Sequence, residues 1–170
     1  MTGLLERPGV VGAPLGELVE VRAARADDRE AVRAFLAGLS LDSAYRRFFT
    51  GIGSPSPTLV GRLVEVDHDR RETVLGLVGH EVVGLADCAR LADGCTVELG
   101  VVIADAWQRL GLGPRLSRAV LDLAVARDAT VLRVHALADN ARVARMLRRQ
   151  WPDHAPTRED ATLVWDLPLA

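Results

Sequence analysis

The chain has 170 residues, 49% hydrophobic and 26% charged, which suits one globular domain with a substantial core. A net charge of −2 gives no electrostatic basis for nucleic-acid binding. Two cysteines, Cys88 and Cys95, are too few for a disulfide framework and read as a reduced pair. All 21 cationic residues are arginine, a bias read as GC-rich coding rather than as avoidance of lysine acetylation.

Met1 to Glu17, with Gly3, Pro8, Gly9, Gly12, Pro14 and Gly16, lacks periodicity and reads as a flexible N-terminal arm ahead of one domain over 18–170. Glu6, Arg7 and Pro8 interrupt any apolar leader, and no apolar run approaches a membrane span. A cytoplasmic protein without a membrane partner is expected. Leu18 to Ala23 alternates as a first strand. Asp27 is expected to cap a helix whose apolar residues Val32, Phe35, Leu36 and Leu39 recur at helical spacing. A short helix with Tyr45, Phe48 and Phe49 follows, then a loop over Gly51 to Pro57 and a third helix over Leu59 to Val66.

The period then changes. Thr73 to Val78, Val82 to Ala89 and Thr96 to Ile103 form an antiparallel meander, turned at Gly79-His80 and Asp93-Gly94. In that hairpin Cys88 falls opposite a residue near Leu99, not opposite Cys95. A helix over Leu112 to Arg127 places Leu112, Leu116, Val120 and Leu123 on one face. A strand over Thr130 to Leu137, a helix capped by Asp139 and running to Arg149, and a strand over Thr162 to Leu167 complete an α+β layout on one mixed, mostly antiparallel sheet flanked by helices.

Gln108-Arg109-Leu110-Gly111-Leu112-Gly113 connects a strand to a helix. Such a turn aims several backbone N–H groups at one point, with the helix dipole behind it, which suits a pyrophosphate. A dinucleotide fingerprint would need a third glycine at Leu116 inside a parallel unit, and a P-loop would need a lysine; neither is present. A tight connection with no ligand is the remaining alternative.

With Ala104-Asp105-Ala106-Trp107 before the turn and Ala138-Asp139-Asn140-Ala141-Arg142 opening the next helix, the pattern resembles the GCN5-related N-acetyltransferase (GNAT) superfamily from Leu18 to Leu167. The resemblance implies the GNAT fold and acetyl-CoA as donor, with no metal. Gln108, Arg109, Leu110, Gly111, Leu112, Gly113 and Pro114 would hold the pyrophosphate, Val101, Val102 and Ile103 would pair with the pantetheine arm, and Asn140 would contact it. One strand N–H would polarise the thioester carbonyl. Leu39-Ser40-Leu41-Asp42-Ser43-Ala44-Tyr45-Arg46-Arg47-Phe48-Phe49 is similar to a segment of bacterial Pat-type protein lysine acetyltransferases, as is Val97-Glu98. That makes a protein lysine the preferred acceptor and a small amine the runner-up, with a non-catalytic acetyl-CoA sensor as the competing class. A homodimer is kept as a candidate partner.

A lysine amine with pKa about 10.4 is deprotonated at pH 7 at a cost of roughly 4.6 kcal/mol, so the chemistry asks for a base. Glu98 is the first candidate, sharing a strand face with Gly100 and Val102; Gly100 would let a substrate approach the backbone. His135 is the rival, at the position where some relatives carry a carboxylate. Leu147 stands where many relatives have a tyrosine as general acid. Thus the thiolate leaves without a dedicated acid, or Tyr45 reaches over. Asp67-His68-Asp69 is read as solvated loop and not as metal ligands.

Overall fold

The computed structural model describes residues 18–50 and 54–169. The arm expected over Met1 to Glu17 lies outside the described residues, as do residues 51–53 of the loop. In chain order the elements are β1 (Glu20–Ala23), α1 (Arg29–Ala37), α2 (Leu41–Phe48), α3 (Pro57–Val64), β2 (Arg71–Val78), β3 (Glu81–Arg90), β4 (Thr96–Ile103), α4 (Leu112–Val125), β5 (Val131–Leu137), α5 (Ala141–Gln150), β6 (Thr157–Glu159) and β7 (Thr162–Pro168). The strands form one sheet in the order β1-β2-β3-β4-β5-β7-β6. Only β4 and β5 run parallel; every other neighbour is antiparallel. The expected mixed sheet is therefore observed, with one strand more than the sequence pattern supplies. β6 is that strand, three exposed residues (Thr157–Glu159) with no apolar alternation to reveal them.

Helices cover both faces. On one, Val32, Phe35 and Leu36 of α1 and Val60, Leu63 and Val64 of α3 pack on Leu75, Leu85 and Val102. On the other, Leu112, Leu116, Val120 and Ala124 of α4 pack on Val74, Val83, Ala86 and Val97. The fourth buried position of α4 is Ala124 rather than the expected Leu123, because the 3.6-residue period carries the stripe from Val120 to the next turn. Each fully buried Leu or Val of α4 contributes roughly 1.5–3 kcal/mol. Gly84 of β3 makes this packing close: a Cβ there would lie 2.8 Å from Ile103 Cδ1 and 2.9 Å from Leu116 Cδ1. Next to α4, α5 covers β5 and β7 through Ala144 and Leu147 on Leu132, Val134, Trp165 and Leu167.

Several helix starts differ from expectation. Asp27 does not cap α1; Asp28 does the local work, its carboxylate accepting two 2.7 Å bonds from Arg22 and one of 2.8 Å from the Arg25 N–H. Pro57 belongs to α3, not to the loop before it: Ser56 caps that helix and Pro57 fills its first turn, where no N–H is needed. Asn140, not Asp139, caps α5, with its Oδ1 accepting from Val143 N–H at 3.3 Å. Asp67 is a turn organiser, its Oδ1 accepting from the N–H groups of Asp69, Arg70 and Arg71. Cys88 sits opposite Leu99 as expected.

Candidate active site

The chain leaves β4 through a short 3-10 turn over Asp105–Trp107. Ala104 N–H donates to Val83 O at 3.0 Å and Gln108 N–H to Asp105 O at 3.4 Å. Then the backbone turns left-handed twice, at Arg109 (φ 63) and Gly111 (φ 85), before α4 starts at Leu112. Among the described residues, the N–H groups of Arg109, Leu110, Gly111, Leu112 and Gly113 meet no backbone carbonyl, and no side chain caps the helix. Pro114, third in α4, has no N–H to satisfy. Successive free N–H groups at a helix start form an anion-binding concavity. Arg109 is exposed beside it, and Arg115, in the first turn of α4, holds a buried Nη1 without a partner.

Upstream, the sheet divides. β3 and β4 stay paired as far as Gly84↔Ile103. β4 and β5 pair only at Thr96↔Val131, Val97↔Leu132 and Glu98↔Arg133. From Gly100 to Ile103 the β5-facing edge of β4 has no strand partner among the described residues, and the chain continues from its end through the 3-10 turn to the free N–H groups. Val101 and Ile103 pack toward α4, while Val102 packs toward α1 and α3.

Glu98 stands at the point of division and is exposed. Arg133 opposite it is held by Asp166 in a bidentate pair, 2.7 Å at each bond. His135, two residues further along β5, shares the face of Arg133 and is half-buried, opposite Val164. The two candidate bases therefore stand on one face of the sheet, on the two diverging strands. Among the described residues neither side chain makes a hydrogen bond or an ion pair.

Gly100 does not leave open space. A Cβ there would fall on the Arg47 guanidinium, which pairs with Asp87, the residue opposite Gly100 on β3. The Arg47 guanidinium carbon lies 4.7 Å from the Phe48 ring centroid. Beside it on α2, Arg46 reaches Asp139 at 3.5 Å, just after β5. α2 thus spans the gap between the diverging strands, with Leu41, Tyr45 and, just past its end, Phe49 exposed. Leu147 is buried in the core under α5.

One cluster escaped the sequence reading. Asp105 accepts from Ser40 N–H at 3.1 Å, from Ser40 Oγ at 2.7 Å and from Ser43 Oγ at 2.8 Å. Burial alone would raise its pKa, but the bonds from Ser40 and Ser43 outweigh that and hold it below the usual carboxylate range. Gln108 Nε2 donates to Ser43 Oγ at 2.9 Å and to Ile103 O at 3.1 Å. Gln108, expected in the pyrophosphate turn, therefore spends its side-chain donors within the protein. Ser40 and Ser43 lie in the Leu39–Phe49 segment and Asp105 in Ala104–Trp107, both part of the family resemblance, but nothing local marks their contact, because Asp105 lies about sixty residues from its partners in sequence.

Comparison with known proteins bears on the family and the fold. A family model described as the Acetyltransferase (GNAT) family matches residues 40–150. Acetyltransferase PA5475 of Pseudomonas aeruginosa is 33% identical over 113 residues, 64% of this chain and 61% of that protein's length. Among solved structures, the GNAT domain of S. lividans PAT superposes with a TM-score of 0.81 at 22% identity, over 89% of this chain and 90% of that one. YncA of Salmonella typhimurium, solved with its cofactor acetyl-CoA, gives 0.67 at 15% identity, covering 89% and 94%.

Proposed function

Because the chain belongs to the GNAT acetyltransferase family, we propose that it transfers the acetyl group of acetyl-CoA to a primary amine by direct attack in a ternary complex. The preferred acceptor is a protein lysine. The observation that carries the reading is the open β4 edge, Gly100 to Ile103, leading from Glu98 into five free N–H groups. On this reading donor and base stand at the two ends of one strand segment.

Acetyl-CoA supplies an activated thioester when bound. The N–H groups of Arg109 to Gly113, with Arg109 charge beside them, neutralise its diphosphate. The open edge offers the N–H groups of Val101 and Ile103 to the pantetheine arm, while Val102 between them directs its N–H to β3, and one N–H there polarises the thioester carbonyl. Asn140 keeps its amide NH2 for the same arm, since its Oδ1 is used in capping α5. Glu98 accepts the proton of the acceptor ammonium, directly or through water. No acid stands at Leu147, so the thiolate departs without one, or takes its proton from Tyr45.

Exposed Leu41, Tyr45 and Phe49 on and just past α2 support a macromolecular acceptor, because they leave apolar surface on this helix that a small amine does not need. A small-molecule amine is the second reading. The test is Glu98→Gln: acetyl-CoA affinity stays within about twofold while turnover falls about a hundredfold or more. Undiminished turnover removes Glu98 and brings His135 forward. Acetyl-CoA binding without turnover on a panel of amines and lysine-bearing proteins would leave a sensor.

A further inference from the structure

The cluster at Asp105 joins two parts of the molecule that the proposed reaction needs in register. On one side is the turn that takes the donor. On the other is α2, which spans the gap where the acceptor enters. This inference rests on the acetyl-CoA reading above.

The hydrogen bonds fix one direction along the cluster. Ser40 Oγ accepts from Ser43 N–H at 3.2 Å, so its single proton goes to Asp105 Oδ1. Ser43 Oγ accepts from Gln108 Nε2, so its proton goes to the same oxygen. Each hydroxyl uses its one donor and accepts one bond. All three donors from the start of α2 end on Asp105, two on Oδ1 and one on Oδ2. The second Gln108 amide proton is held by Ile103 O, the last residue of β4. Gln108 immediately precedes the free N–H groups.

α2 is held elsewhere by Arg47 on Asp87 and by Arg46 on Asp139. These contacts sit on opposite sides of the gap: Asp87 on β3 beside β4, Asp139 beyond β5. A shift of α2 at its Ser40 end therefore changes the width of the acceptor entrance. Fixing Arg109 to Gly113 around a diphosphate fixes Gln108, and Gln108 acts on Ser43.

We propose that Asp105 is a positioning residue which, with Ser40, Ser43 and Gln108, transmits donor binding at the Arg109–Gly113 turn to α2 and so sets the acceptor entrance. Binding at the turn orders α2, and the acceptor meets a formed wall only after the donor is seated. Asp105 touches neither reacting group.

Amide hydrogen exchange on the full chain, with and without saturating acetyl-CoA, reads this without knowing the acceptor. In the wild type, exchange slows at least about fivefold both in residues 109–116 and in α2. In Asp105→Asn and in Ser43→Ala, slowing persists at 109–116 while that of α2 falls below about twofold. A residue serving stability alone would loosen α2 equally in both states and leave the ratio unchanged. Ser43→Ala keeps the Ser40 cap and carries the test if Asp105→Asn does not fold. Wild-type-like slowing of α2 in the variants overturns the proposal, as does a wild type in which only the turn slows. No slowing at either place overturns the acetyl-CoA reading, and the latch with it.

Discussion

Two glycines in one turn should respond in opposite ways to the same substitution. Gly111 has φ +85 and no atom within 4 Å of where a Cβ would stand. Space is free there, and conformation is the only obstacle. Alanine in the left-handed region costs about 1–2 kcal/mol, partly offset by about 0.4–1 kcal/mol of lost unfolded-state freedom. The net loss is about 1 kcal/mol, or about 2–4 °C in Tm for a chain of this size. Gly113 has ordinary helical φ, and its Cβ would meet only Ile103 Cγ1, at 4.0 Å. Alanine there gains the same unfolded-state term without strain, so Tm rises by about 1–3 °C. Binding should divide the same way. Relaxation at Gly111→Ala turns one or two N–H groups away from the diphosphate, each worth about 1.5–3 kcal/mol to a charged acceptor. Affinity for acetyl-CoA then falls at least about tenfold, and by about 10^4-fold if both N–H groups are lost in full, whereas Gly113→Ala stays within about threefold. Thermal melts and titration calorimetry with acetyl-CoA suffice. Equal damage from the two variants, or a neutral Gly111→Ala, refutes the account in which backbone φ organises the site.

Other expectations follow from the packing and the charges. Gly84→Ala forces a methyl against Ile103, Leu112 and Leu116, and chemical denaturation should show a loss of about 1–3 kcal/mol. Asp28→Asn should cost about 2 kcal/mol at pH 7 by weakening the bidentate bond from Arg22, moderated because Arg22 is partly exposed. That Arg22 bond holds the Asp28 pKa below its ordinary value of 3.8, so its stabilisation is complete above that pH and fades as pH falls further. Urea melts from pH 7 to pH 3 should show the two proteins converging only at the acid end. Burial, with Asp87 and Glu72 nearby, pushes the Cys88 thiol up to about 11, so at pH 8 a thiol reagent should label Cys95 first and reach Cys88 only after unfolding. Simultaneous labelling would show that the sheet opens readily at β3.

The elements were legible wherever periodicity was strong. The Val-rich meander, the buried face of α4 and the Cys88 register all follow from local pattern. The N–H turn was legible too, because Gly111 and the strand-to-helix context mark it. What escaped depends on tertiary contact. Asp28 and Asn140 displaced their neighbours Asp27 and Asp139 as organisers, since one-residue choices among polar residues are decided by what the side chain can reach. The sequence suggests Gly100 as an approach route, but its missing side chain accommodates Arg47 from a helix about fifty residues earlier. Asp105 belongs to the segment that carries the family resemblance, but its role is not legible there, because only folding brings Ser40 and Ser43 to it.

The short pairing between β4 and β5 makes the molecule a book with a spine three rungs long. One leaf holds β1 to β4 with α1 to α4; the other holds β5 to β7 with α5. Among the described residues their cores share Leu99, Leu121 and Leu169, and Arg46 of α2 reaches Asp139 across the division. Leaves joined so sparingly can swing or melt as separate cooperative units. A donor laid along the fold between them would act as a clasp, raising the stability of the weaker leaf in proportion to its occupancy. The cellular level of acetyl-CoA would then set how tightly this protein is bound shut, before any acceptor arrives.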